Sequence, residues 1–446
     1  MNALLLIHLI QKISSYYGRC PSTSDSRCTL EKYDIDEYQG FFPSVAHEKL
    51  PKSFDIWEAH LADANGRLIL GEVEDADFAE TESTREWREV IDNWPVLTTE
   101  SLEDEPRLLQ RAHTVLAWLV QHYAHSIPTD RTEPIRIPKS LAVPLVRVSK
   151  ILRMAPILTF ADTVLWNARP RDHRRPLSMD NVRFENTFSG TEDEENFYRS
   201  SASVELRGVE VIQIIHRYLN LDDPQNRINE SGLRSDLLRL KTVLQELTEL
   251  MEGVKEAVDP RVFYWQVRPW FDGNGSGGGR RWVYEGVAES AVVDTSGPSA
   301  GQSTIIHAID AFLGIDHRQL RCPIPSVRKQ HGDTAFMDRM RRYMPGLHRD
   351  FLDHLDDIPV TIKKVAMERP CLREAYNDAV KALKRLRDIH IRVACLYIVS
   401  MARSQPPDGF QRRVNRGLDG ARGTGGNHVA SLLKSGRDAT QNAVLE

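Results

Sequence analysis

The chain has 446 residues, 41% of them hydrophobic and 27% charged, with a formal net charge of -5. That length holds two or three domains and a sizeable core, and the mildly acidic balance excludes a global basic field for nucleic acid. Five cysteines (Cys20, Cys28, Cys322, Cys371, Cys395) are odd in number and widely spaced, so reduced thiols are expected instead of a disulfide framework or a CxxC zinc site.

In chain order, the opening "MNALLLIHLIQK" carries a short apolar run broken by His8, without a basic n-region or a small-residue cleavage site. Residues 1–29 are read as an extension, and nothing later approaches the roughly 20 apolar residues of a membrane span. A cytoplasmic protein with no membrane partner is expected. Residues 30–167 are assigned to a small N-terminal domain. Within them "SIPTDRTEPIRIPKS" (126–140) has three prolines and no helical period, and predicts an extended connection. The charged, turn-rich segment 168–196 is expected to link that domain to a larger one over 197–446, and its acidic run "TEDEEN" (191–196) predicts a solvated turn or helix N-terminus.

Helical period dominates the larger part. Residues 204–219, "VELRGVEVIQIIHRYL", predict an amphipathic helix despite their β-branched content. Leu237, Leu240, Leu244, Leu247, Met251 and Val254 form a heptad-like seam that stops at Asp259-Pro260. Residues 334–355 and 372–402 predict two more helices. Alternating strand patterns are scarce, so the fold class is all-α.

The last of these helices places a histidine on an inward stripe: Leu383, Leu386, His390, Val393 and Tyr397 share one face, opposite Lys384, Arg385, Asp388 and Arg392. By itself this is compatible with a hydrogen-bonded core histidine or with a metal ligand. Other motifs fail on inspection. "GNGSGGGRR" (273–281) lacks the GK[ST] ending of a phosphate loop. "HRD" (348–350) would put Leu355 where a kinase has its asparagine. His122 and His125, three apart, lack an obvious third ligand and are expected at a solvated helix end.

Taken together, "DPRVFYWQVRPW" (259–270), "GPSAGQST" (297–304), "MRRYMPGLHRDFL" (340–352) with "LREAYNDAVKALKRLRDIH" (372–390), and "GTGGN" (423–427) resemble indoleamine 2,3-dioxygenases, fungal members above all. "YDIDEYQGFFP" (33–43), "IPKSLAVPLVRVSKIL" (137–152) and "APILTFADTVLWN" (155–167) extend the resemblance over roughly residues 30 to 440. It implies a two-domain helical fold, with a small domain capping a larger one that binds haem b, active as Fe(II). His390 would be the proximal iron ligand and Arg387 would lie near a propionate. Arg268 would pair with the substrate carboxylate, and Phe263, with Tyr264 beside it, would abut the indole. Ser201 and Phe197 would lie on the distal side, with Phe160 and Thr163 closing the pocket from the small domain. Ser299 and Ala300 would line the haem and substrate edge, and Thr424 would contact substrate from a glycine-rich loop.

The implied reaction inserts both atoms of O2 across the indole C2–C3 bond of L-tryptophan, giving N-formylkynurenine in the kynurenine pathway, and a monomer is expected. Three positions depart from the family: Asn274 stands where many members have Trp, Pro298 replaces a glycine, and Asn427 replaces a threonine. They leave open an oxygenase for another indole or aromatic in secondary metabolism, and a haem-binding sensor without turnover.

Overall fold

The computed structural model describes residues 28–45, 47–71, 73, 77–128, 133–274, 280–289, 292, 295–317, 336–407, 424 and 429–446. Cys20, Cys322, most of the extension, the glycine run 275–279, the glycines of "GTGGN" and Asn427 lie outside them.

The fold is all-α. Its main helices are α1 (Asp55–Ala64), α2 (Phe78–Asp92), α3 (Pro106–His125), α4 (Lys139–Leu152), α5 (Glu192–Leu219) and α6 (Glu230–Ala257). They continue with α7 (Thr304–Leu313), α8 (Phe336–Arg341), α9 (Gly346–Asp356), α10 (Ile362–Glu368), α11 (Pro370–Ala394) and α12 (Val429–Gln441). No described helix is long and apolar enough to cross a membrane.

The sequence logic of these helices is mostly local. In α3, Pro106 occupies the first turn, where its missing N–H does no harm, and every residue from Leu109 to Ala124 is buried. His122 is therefore fully buried and not at a solvated end. Thr191 caps α5 by accepting from the Glu194 amide at 3.3 Å. The Glu194 carboxylate turns back to accept from the Phe188 and Ser189 amides at 2.8 and 2.7 Å and from the Tyr198 hydroxyl at 2.6 Å. The acidic run is thus a helix start, as expected, but Glu194 within it is buried and structural.

The heptad seam of α6 buries Leu237, Leu240, Leu244, Leu247 and Val254, largely against α11, and Asp259 caps the following turn. Helix 334–355, expected to be continuous, is split into α8 and α9, because Pro345 lacks an amide to continue the first and instead precedes the second.

Four three-residue strands interrupt the helices among the described residues. Ile135–Ile137 pairs in parallel with Trp282–Tyr284, inside the expected extended connection. Ala168–Pro170 pairs antiparallel with Val182–Phe184, so the turn-rich segment folds back as a short hairpin-like unit packed on α5.

Candidate active site

Among the described residues, three short π-helical stretches, Ala161–Leu165, Phe263–Val267 and Cys395–Ser400, lie within segments named above. Such widened turns are uncommon and recur at functional sites.

In the second, Phe263 is 6% exposed and its ring lies 4.6 Å from that of Phe197 on α5 and 5.7 Å from that of Tyr397. Tyr397 is fixed in turn, its hydroxyl donating to the carbonyls of Val258 and Val254 at 2.6 and 3.0 Å. One aromatic cluster therefore joins α5, the end of α6 and the extension of α11. At the next turn Arg268 is buried, its guanidinium 5.5 Å from the centre of the Tyr264 ring.

The segment 295–303 forms a second focus. A Cβ at Gly297 would overlap the carbonyl of Phe271, so only glycine permits this backbone contact. Asn274 braces the same region, accepting from the Trp282 amide at 2.7 Å. Ser299 caps the turn Ala300–Gln302 through the Gly301 amide, while Ala300 is exposed. Buried Gln302 accepts from the Phe160 amide at 2.9 Å and donates to the Gly297 carbonyl at 2.9 Å. Phe160 is thereby tied to the turn, and the Thr163 hydroxyl points back to the Thr159 carbonyl at 3.2 Å. The Thr424 hydroxyl donates to the Pro298 carbonyl at 2.7 Å, so the residue implied to contact substrate meets one of the departures from the family pattern. Ser303 donates to the buried Glu205, which lies one turn beyond the half-buried Ser201 on α5.

Helix α7 leaves this turn toward the third focus. Its Asp310 is ion-paired with Arg387 and hydrogen-bonded to His317 at 2.8 Å. Burial alone would raise the Asp310 carboxyl, but Arg387 and His317 hold it well below the usual carboxylate range. Arg387 is thus not a surface partner of Asp388, which pairs with Lys384 at 3.1 Å. The Arg387 Nε is buried with no partner among the described residues.

One turn further along, Leu383 and Leu386 are buried but His390 is only half-buried. Crowding by protein atoms, helped by Arg387, pushes its imidazole down to about 4, and no hydrogen bond contributes. The satisfied core histidine is therefore not what the structure contains: His390 is neutral near pH 7, reachable, and without a hydrogen bond from any described residue.

Sequence reasoning named the aromatic pair, Arg268 and His390, but missed Glu205, Gln302 and Asp310. Gln302 lies within the quoted "GPSAGQST", and Glu205 stands four residues after Ser201, which were the available signals. Nothing local marked Asp310.

Residues 29–443 match the Indoleamine 2,3-dioxygenase family. The chain is 30% identical to Indoleamine 2,3-dioxygenase 1 of Rattus norvegicus over 426 residues, covering 94% of this chain and 97% of the relative. It is 29% identical to the Saccharomyces cerevisiae enzyme, covering 92% of each, and 31% identical to Indoleamine 2,3-dioxygenase acdA of Aspergillus candidus, covering 79% and 85%. With a family match over nearly its whole length, and a helical architecture to go with it, this chain belongs to the indoleamine 2,3-dioxygenase family and is a dioxygenase.

Proposed function

We propose that the protein is a haem-dependent dioxygenase that converts L-tryptophan to N-formylkynurenine. The observation that carries this reading is the π-helical segment 263–267, where an aromatic cluster and a buried guanidinium lie one turn apart. An aromatic ring and a carboxylate on one small substrate match that pairing.

The donor set suits haem. Among the described residues no group of three or more His, Cys, Asp or Glu side chains could hold a bare metal ion. Among the described residues nothing hydrogen-bonds His390, so its neutral imidazole would be available to ligate a haem iron. Arg387, fixed by Asp310 and keeping a buried Nε without a partner among the described residues, suits an anionic propionate. Ferrous haem, when bound, supplies dioxygen binding and the oxidising chemistry.

The chain's own side chains orient the substrate and exclude water. Arg268 holds the substrate carboxylate through charge-assisted hydrogen bonds. Phe263 and Phe197 set the plane of the indole, and Tyr264 packs beneath the guanidinium. Phe160 and Thr163 close the opposite wall, Ser201 lies on the distal helix, and Ser299, Ala300 and Thr424 form the rim. Fixing both reactants in this way supplies rate by orientation.

The test is to give the haem-loaded ferrous protein L-tryptophan in air and weigh the product. Gain of two oxygen atoms, lost in Arg268→Ala with the Soret band retained, is the expected result. A Soret band with no product from tryptophan would refute it. A substrate panel would then test a second reading, action on another indole, which Pro298 favours because a proline in place of glycine stiffens the backbone that Thr424 meets.

A further inference from the structure

Glu205 lies four residues beyond Ser201 and eight beyond Phe197, so the three share one side of α5. Its side chain is buried, with the residue 4% exposed. One carboxyl oxygen accepts from the Ser303 hydroxyl, and the other, Oε2, is buried with no partner among the described residues.

Among the described residues, the charged groups of the elements packed against α5 have other partners or face solvent. On α5, Arg207 pairs with Glu210 and Glu246, and from α6 Arg239 pairs with Glu210. From α7, His307 faces the Gly301 carbonyl, and Asp310 holds Arg387 and His317. From the 161–165 segment, Asp162 faces His113 at 2.8 Å. Beyond the 263–267 segment, Arg268 lies over Tyr264, and Arg183 of the strand beside α5 is exposed.

A carboxyl without a cation, stripped of water, resists ionisation, and burial raises this one to about 7. It is therefore poised between a neutral hydrogen-bond donor and an isolated buried charge. The hydroxyl it meets belongs to the residue that opens α7, whose other end fixes Arg387 beside His390. A buried negative charge there is tolerated best when a positive one is close. Haem iron presents one more positive charge in its ferric than in its ferrous state.

We propose, resting on the haem reading above, that Glu205 is the proton-holding residue of this site, taking up a proton when the iron is reduced and releasing it on oxidation. In that step an external one-electron donor reduces ferric to ferrous iron, and a solvent proton forms an O–H bond at Glu205. No other bond forms or breaks. Glu205 touches neither substrate nor iron in this account and is a positioning residue for the reduction.

The experiment is a spectroelectrochemical titration of the haem-loaded protein, followed at the Soret band between pH 6 and 9, for the wild type and Glu205→Gln. Each tenfold fall in proton activity is expected to lower the wild-type midpoint potential by about 59 mV over part of this range. The glutamine variant is expected to be flat there. Equal slopes in two proteins that both show a Soret band would overturn the role of Glu205 while leaving the haem reading intact. A wild type that takes up no haem would sink both. Should Glu205→Gln not fold, the infrared difference between reduced and oxidised wild type decides: a protonated-carboxyl band gained on reduction supports the assignment, and its absence refutes it.

Discussion

His122 is the buried group whose replacement should strengthen the protein. It is fully buried in α3, both ring nitrogens lack a partner among the described residues, and four aromatic rings surround it. Phe188 lies at 4.6 Å, Trp270 at 5.4 Å, Trp118 at 6.0 Å and Trp87 at 6.1 Å. An orphaned buried polar group costs about 1–3 kcal/mol, and an aromatic contact contributes about 0.5–1.5 kcal/mol. His122→Leu, close in volume, loses the second and relieves the first, for a net gain of about 1 kcal/mol at pH 7.

Acid widens the gap. Burial lowers the imidazole from 6.5 to about 3, so the unfolded chain takes up a proton that the fold refuses between those values. Stability is therefore lost as pH falls from 6.5 toward 3, by about 1.4 kcal/mol per pH unit. At pH 4 the variant should lead by roughly 4 kcal/mol. Urea unfolding of the haem-free protein at pH 7 and at pH 4–5 measures both numbers. Other buried histidines add to the acid limb, His47 at about 3 and His348 at about 4, so the slope should diminish by one proton's worth without vanishing. A variant weaker than wild type at pH 7, or one with an unchanged acid limb, would refute the reasoning.

His390→Ala should fold with unchanged far-ultraviolet circular dichroism yet lose the Soret band of added haem. A wild-type spectrum in that variant would remove His390 from the iron. Arg268→Ala should lower kcat/KM by about 10- to 150-fold, the equivalent of 1.5–3 kcal/mol from a charge-assisted hydrogen bond, and Arg268→Lys should recover only part of it. Asp310→Asn breaks one side of a buried ion pair and should cost about 3 kcal/mol or more, read as a lower thermal midpoint and weaker haem retention. Because Arg387 and His317 hold Asp310 far below its ordinary 3.8, the wild-type pair should persist at pH 4 and fail only at much stronger acidity. Thr191→Ala should cost about 1 kcal/mol through the lost cap of α5, measured by urea unfolding.

The helices that the sequence made legible are those with long one-sided periodicity. The seam of α6 needs only the 3.6-residue repeat and is present. The stripe of α11 is buried at Leu383 and Leu386 but half-buried at His390 and Val393. It reaches buried Tyr397 only through the π-helical turn that ends the helix before residue 402. Period alone could not say whether His390 is satisfied, because its hydrogen-bond state depends on what other elements bring to it. Glu205, Gln302 and Asp310 were missed for the same reason: each is defined by a partner about 70 to 140 residues away, Arg387, Phe160 or Ser303. The split at Pro345 was legible and overlooked, since a proline inside an apolar period ends a helix more often than it bends one.

The π-helical turns explain why the 263–268 segment also resists a helical wheel. At 100° per residue, Phe263 and Arg268, five positions apart, would point roughly 140° away from each other. The Arg268 amide instead bonds the Phe263 carbonyl, an i to i+5 turn that stacks the two positions one above the other. The same closure joins Trp166 to Ala161 at 2.7 Å, just beyond Phe160. An aromatic wall and a buried guanidinium can then stand on one side of a single segment. A regular α-helix would have to draw them from residues four apart, and here Val267, at that spacing, is buried in the core. The widened turn thus lets one short stretch supply both an aromatic wall and a buried cation.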